Sequence, residues 1–198
     1  KIVYVTSGGT AYGDPEIVPA DESTPVRPLS PYGASKLAVE TYLPIYEKLC
    51  DINYSIIRLA NVYGPRQDPH GEAGVVAIFA KAMLAGKPLT IFGEGNDERD
   101  YIYVQDVVDA IARSAEGTLP GPFNVGTGIG TSTNRIFEVV AEHCGHTEVA
   151  SHGPGRPGDI NRISLDPSKA KRELGWIAQV SLEDGLKTTV DWFKSQDD

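Results

Sequence analysis

Short β-branched and aromatic runs alternate along this chain with longer segments of helical period, and no other feature restricts its fold as much. Ile2-Val3-Tyr4-Val5-Thr6 predicts a strand that ends at Ser7-Gly8-Gly9, the expected start of a loop. A polar, proline-bearing stretch over 12–31 leads to a helical pattern over 32–49 and a strand over 54–59. Then follow a helix over 74–85, a strand over 89–92, a Gly/Asp-rich loop over 93–100 and a strand over 101–104. A helix over 107–115, a strand over 122–125 and a helix over 132–144 continue the alternation, before a Gly/Pro segment over 152–158 and helices near 167–174 and 182–194. Parallel strands need a crossover, which helices provide, so the pattern predicts an α/β fold with a largely parallel sheet. We expect one unit over residues 1–60 and, over 61–198, mainly a second lobe packed on the edge of that sheet, with a cleft between them.

Charge narrows the partners. The 198 residues carry 18 Lys plus Arg against 27 Asp plus Glu, a net charge of −9, which argues against nucleic acid and disfavours a membrane surface. With 40% hydrophobic and 23% charged residues the chain can bury an ordinary core, and no apolar run approaches the roughly 20 residues of a membrane span. Cys50 and Cys144 stand far apart, and His70, His143, His146 and His152 have no ligand spacing, so neither a disulfide framework nor a metal site is expected. A reducing cytoplasm is the expected location.

Tyr32-Gly33-Ala34-Ser35-Lys36 carries the most chemistry. Its ends are four apart, so a phenol and an ammonium share one helix face. A nearby cation stabilises a phenolate, and this is how a tyrosine with an ordinary pKa of about 10 becomes a general acid/base at neutral pH. Alone, the same spacing also describes an exposed surface pair.

Other segments give the pair a context. A strand ending in Thr6-Ser7-Gly8-Gly9 and followed by Thr10-Ala11-Tyr12-Gly13 precedes it. Downstream, in order, stand Arg58-Leu59-Ala60-Asn61-Val62-Tyr63-Gly64-Pro65-Arg66-Gln67, a stretch from Gly93 to Val107 containing Arg99-Asp100-Tyr101, then Phe123-Asn124-Val125-Gly126-Thr127-Gly128 and Arg156-Pro157-Gly158-Asp159. Together these resemble the extended short-chain dehydrogenase/reductase family, and within it the nucleotide-sugar 4-epimerases of the UDP-glucose 4-epimerase kind.

That resemblance implies the C-terminal part of a Rossmann-type parallel sheet plus a small α/β substrate-binding lobe, some of whose segments return to the sheet. It implies NAD as cofactor and a nucleotide-diphosphate sugar, with UDP favoured, as substrate; it allows a homodimer. Tyr32 would take the proton of the sugar 4-hydroxyl, and Lys36 would support the phenolate and bind the nicotinamide ribose. The transient 4-keto sugar would turn over and regain the hydride on its other face. Thr6 and Leu59, at two strand ends, would adjoin the cofactor together with Tyr32 and Lys36. Arg99 and Arg156 would clamp the diphosphate, Tyr101 would share the strand face of Arg99, Asn61 would lie on the phosphate side, Phe92 against the base and Asp159 near the nucleotide ribose.

One position departs from the family pattern. A Ser or Thr usually stands four residues before the tyrosine of the TyrGly pair, where this sequence has Gly8, so the hydroxyl role passes to Ser7. Gly8 and Gly9 either re-aim a neighbour through their backbone freedom or merely form a tight turn. The family's dehydratases carry an acidic pair just after that hydroxyl, whereas Gly9-Thr10 stands here, which disfavours elimination.

The glycine-rich Gly126-Thr127-Gly128-Ile129-Gly130 lacks the GxGxxG spacing and is expected to be a turn before a helix. The strand, glycine-rich turn and helix that hold the NAD pyrophosphate in this family are not in the sequence, so they are expected upstream of Lys1, and the chain alone is expected to be inactive. Three alternatives stay open: a nucleotide-sugar 4,6-dehydratase, a decarboxylase, or a non-catalytic nucleotide-sugar-binding module.

Overall fold

The computed structural model describes residues 1–70, 74–155 and 160–196. Strand β1 (Ile2–Ser7) passes directly into a short helix, α1 (Gly8–Tyr12), and a loop then leads to the long helix α2 (Pro31–Cys50). Ser30 caps α2 by accepting the Gly33 amide at 3.1 Å, and Pro31 sits in the first turn, where a missing N–H costs nothing. The helix ends at Asp51, which turns the chain in the left-handed conformation. Strand β2 (Tyr54–Leu59) returns parallel to β1, from Ile2 opposite Tyr54 to Ser7 opposite Leu59, and is nearly all buried.

The chain then leaves this sheet. Strand β3 (Asn61–Tyr63), helix α3 (Val75–Leu84), strand β4 (Thr90–Phe92) and strand β5 (Glu98–Tyr103) begin the second lobe, with β3 parallel to β5. Helix α4 (Val104–Glu116) and strand β6 (Phe123–Val125) go back to the first sheet, where β6 pairs in parallel with β2. Strand β7 (Gly130–Ser132) lies antiparallel to β5 and opens helix α5 (Thr133–Cys144). Strand β8 (Ser151–Gly153) pairs with β4, and β9 (Arg162–Ile163) pairs with β5. Helices α6 (Ser168–Leu174) and α7 (Leu182–Lys194) complete the described chain.

Two main cores result, and β5 is the wall between them. Tyr101 packs with Phe79, Met83, Ile136, Val140 and Leu186 in the second lobe, whereas Ile102 packs with Ile57, Val107, Phe123 and Trp176 under the first sheet. Alternate residues of a strand face opposite ways, so one element serves both sides. Each fully buried side chain of this size contributes about 1.5–3 kcal/mol. The neighbouring Asp100 is buried and accepts hydrogen bonds from Thr127 N and Oγ1 at 2.9 and 2.6 Å, Gly128 N at 3.0 Å and Leu165 N at 3.1 Å. Asp106 does similar work in α4, accepting from the amides of Gln179 and Val180, while its carbonyl takes the Trp176 indole N–H.

The structure corrects the sequence reading in places. The segment after Ser7 is not a loop but α1, and β5 begins at Glu98 rather than Tyr101, because β7 and β9 pair with its polar first half. Strands β3, β7 and β9 have at most three residues, too few to display a period of two. Among the described residues no helix is long and apolar enough to cross a membrane, and no His, Cys, Asp and Glu cluster could hold a metal ion.

Candidate active site

Helix α2 meets α1 at Gly33. A methyl group at Gly33 would come 2.7 Å from the Thr10 carbonyl oxygen and 3.0 Å from Pro28 Cβ, so the close approach needs glycine. This contact brings the adjacent Tyr32 beside the end of β1. Tyr32, Ser7, Gly9, Thr10, Asn61, Gln67, Arg99 and Tyr101 line one cavity of about 400 Å³.

Tyr32 is 46% exposed, open enough for its phenol to meet a ligand. One turn on, the Lys36 ammonium lies 5.5 Å from the centroid of the Tyr32 ring. Among the described residues Lys36 is in no ion pair, so its charge stays available to whatever forms at that ring. The pair sits on one helix face, as its spacing requires.

Ser7 occupies the N-cap position of α1 yet makes no side-chain capping bond. Its hydroxyl is therefore not spent on the helix, and Ser7 lines the same cavity as Tyr32. Gly8 points elsewhere: a methyl there would meet Leu165 Cδ1 at 2.6 Å and Arg58 Cβ at 3.4 Å. The glycine pair thus opens a helix whose first Cα is packed inward, rather than forming a tight turn.

Asn61, Arg99 and Tyr101 also line a second cavity, of about 330 Å³, together with Thr90, Phe92, Asp97 and Thr133. The shared walls make one cleft running from Tyr32 to Phe92. Register explains the sharing, since Asn61 stands opposite Tyr101, and Arg99 lies on the same face of β5 as Tyr101. The Arg99 guanidinium donates to its neighbour's carbonyl, Glu98 O, at 3.0 Å and enters no ion pair among the described residues. Burial pushes the Tyr101 phenol up to about 12, against the opposing pull of Arg99 and of a hydrogen bond to Thr133, so Tyr101 stays protonated and can act only as a neutral wall or hydrogen-bonding group.

Some expected residues are not on this wall. Thr6 and Leu59 lie at the ends of β1 and β2 but do not line the cleft, and Arg156 and Asp159 fall outside the described residues. Thr6 Oγ1 is buried with no partner in hydrogen-bonding geometry; the nearby Tyr4 phenol, raised by its own burial, is pulled back somewhat by Thr6. Sequence reasoning passed over Gln67 and Asp97 as cleft residues, although Gln67 stands six positions after Asn61 in a quoted motif. It also passed over a buried ion pair beneath the site, Arg58 with Glu40, for which a charged residue inside the apolar run of β2 was the available signal. A larger cavity of about 800 Å³, lined by Thr127, Ile129, Ser132 and Val180 among others, contains none of Tyr32, Lys36 and Ser7.

The family model described as GDP-mannose 4,6 dehydratase matches residues 1–189. The chain is 49% identical over 197 residues to a UDP-glucose 4-epimerase of Mycolicibacterium smegmatis, covering 99% of this chain and 63% of that protein. A putative UDP-glucose 4-epimerase of Methanocaldococcus jannaschii is 44% identical, with coverages of 98% and 63%. The crystal structure of a Thermotoga maritima UDP-glucose 4-epimerase with UDP-glucose superposes with a TM-score of 0.96 at 43% identity, over 99% of this chain and 64% of that one. A Thermus thermophilus UDP-glucose 4-epimerase in complex with NAD gives 0.89 at 44% identity, over 97% and 63%. The chain spans about 63% of the length of the curated relatives it matches.

Proposed function

Because the chain belongs to the extended short-chain dehydrogenase/reductase family, we propose that the intact protein is an NAD-dependent nucleotide-sugar 4-epimerase interconverting UDP-glucose and UDP-galactose. The observation that carries this reading is the composition of the cavity at Tyr32. Ser7 supplies a hydroxyl and Tyr32 a phenol, and no Asp or Glu lines that cavity among the described residues. Elimination of water needs a group to move a second proton, and the described lining next to Ser7, with Gly9 and Thr10 in place of an acidic pair, favours simple inversion at one carbon.

Each residue then has a task. The Tyr32 phenol oxygen takes the proton of the sugar 4-hydroxyl and later returns it, and the Ser7 hydroxyl hydrogen-bonds the same sugar oxygen. The Lys36 ammonium offsets the charge that develops on the phenol. Arg99 meets the diphosphate in bidentate fashion, with Asn61 beside it and Phe92 against the base. Arg156 and Asp159 are retained as further contacts to the diphosphate and the ribose.

The residues at the end of β1 fit the cofactor. Thr6 Oγ1 is a buried hydroxyl without a partner, and the Lys36 ammonium is a donor set close to Tyr32. These groups, with Leu59 as apolar cover, suit the amide and ribose hydroxyls of a nicotinamide nucleotide. When bound, NAD supplies the acceptor and donor of the hydride exchanged with sugar C4. A cytoplasmic location and a homodimer belong to the same reading. Val39, Tyr42, Tyr46 and Leu49 are exposed along α2 at alternating spacings of three and four, an apolar stripe suited to a second copy.

The test is to incubate the intact protein with UDP-galactose and follow the sugar by NMR. Appearance of UDP-glucose without net reduction of cofactor is expected, and a 4-keto-6-deoxy product would replace this reading with the dehydratase one.

A further inference from the structure

Helix α2 places three ionisable groups one turn apart, Tyr32, Lys36 and Glu40. Lys36 therefore has a phenol one turn before it and a carboxylate one turn after it. In free competition the carboxylate would win, because a charge-assisted hydrogen bond between an ammonium and a carboxylate is stronger than the contact of an ammonium with an exposed ring.

The structure resolves this competition. Both Glu40 oxygens face Arg58, whose Nε stands 3.2 Å from each and whose Nη2 donates to Oε2 at 2.6 Å. The side chains of this pair are only 7% and 5% exposed. Arg58 is aimed from below by Tyr12: its Nη1 donates to the Tyr12 phenol at 2.9 Å, and the guanidinium carbon lies 5.1 Å from that ring's centroid. The Tyr12 phenol in turn donates to Asn124 Oδ1 at 2.8 Å on β6, which ties the arrangement to the first sheet. Meanwhile Lys36 forms no ion pair with Glu40 and lies over the Tyr32 ring.

We propose that Arg58 is a positioning residue that holds the Glu40 carboxylate so that the Lys36 ammonium stays with Tyr32. This rests on the acid/base reading of Tyr32 and Lys36 and adds a residue that touches neither sugar nor cofactor. The arrangement also needs Glu40 itself only as an anchor for the helix. Removing Arg58 and removing Glu40 should therefore have unequal effects, although each breaks the same ion pair.

The experiment compares Arg58→Met, Glu40→Gln and the double variant in the intact, NAD-loaded protein, by kinetics and by crystal structure. Arg58→Met is expected to lower kcat roughly tenfold or more, with KM for UDP-galactose held within about threefold. Its crystal structure should show the Lys36 ammonium within about 4 Å of Glu40. Glu40→Gln should keep kcat within about threefold of wild type, and adding it to Arg58→Met should recover most of the loss, since no charge is left to draw Lys36 away. A double variant as slow as Arg58→Met, or a Lys36 that stays over Tyr32 in the Arg58→Met crystal, would overturn the proposal. If Arg58→Met does not fold, the equally uncharged Arg58→Gln, with and without Glu40→Gln, carries the same comparison, and the same rescue is required. A wild-type protein without epimerase turnover would sink the activity reading alone, because the position of Lys36 in the crystals is read independently.

Discussion

Leu165 fills the space above Gly8: a methyl group on Gly8 would stand 2.6 Å from Leu165 Cδ1. Leu165 follows β9 with its amide held by Asp100, so its backbone is not free to withdraw. The position where the family usually has a hydroxyl is thus closed by packing, and the neighbouring Ser7 lines the cleft instead.

Two substitutions separate these positions. Ser7→Ala should lower kcat by an amount equivalent to about 1–3 kcal/mol, the loss of one hydrogen bond to a reacting group, with little change in stability. Gly8→Ser should instead destabilise the fold by about 1–3 kcal/mol through overpacking and bring no gain in rate. Steady-state kinetics and urea denaturation of both variants check this, and a faster Gly8→Ser enzyme would return the hydroxyl role to that position.

Tyr32→Phe removes a single oxygen from the cavity wall. We expect kcat to fall roughly 10²- to 10⁴-fold while the dissociation constant for UDP-glucose, measured by calorimetry, changes little. An unchanged kcat would take Tyr32 out of the chemistry.

Arg99→Ala should act on binding. Arg99 belongs to the wall shared by the cavity at Ser7 and the cavity at Phe92. Losing a charge-assisted contact to a diphosphate costs about 1.5–3 kcal/mol, so affinity for UDP alone should weaken roughly 10- to 100-fold. Equal affinity for UDP in wild type and variant would place the diphosphate elsewhere.

Asp100 should leave a mark on stability against pH. Burial raises its carboxyl above the ordinary value of 3.8, and the hydrogen bonds from Thr127, Leu165 and Gly128 offset this only in part. Between the unfolded and the higher folded pKa the native state holds the proton that the unfolded chain releases, so this group's contribution falls as pH rises from about 4 and then levels off. Denaturation midpoints of wild type and Asp100→Asn across pH 4–7 test the sign: the wild type should lose ground to the variant on going up through that window, and a gap that widens in favour of the wild type would contradict it.

What could be read from the chain and what could not divide along physical lines. Tyr32 and Lys36 announced themselves because both lie on one helix, and Arg99 and Tyr101 did so because both lie on one strand face. Helix α1 was hidden by its two opening glycines, poor helix formers that are held here by the burial of Ala11 and Tyr12. The pairing of Arg58 with Glu40, and the cover that Leu165 lays on Gly8, join residues from separate elements. No local period encodes such contacts, and they appear only when the sheet has been assembled.

The path of the backbone has a last consequence. The chain crosses between the lobes after β2, between β5 and α4, between β6 and β7, and again beyond Leu165, and Asp100 grips the last two of these crossings together. Lobes joined by one linker can swing like a door, whereas lobes stitched at several points can only flex along the seam. Several connections, and not one hinge, therefore hold the described walls between Tyr32 and Phe92 together, which leaves the side chains along the cleft to tell one ligand from another.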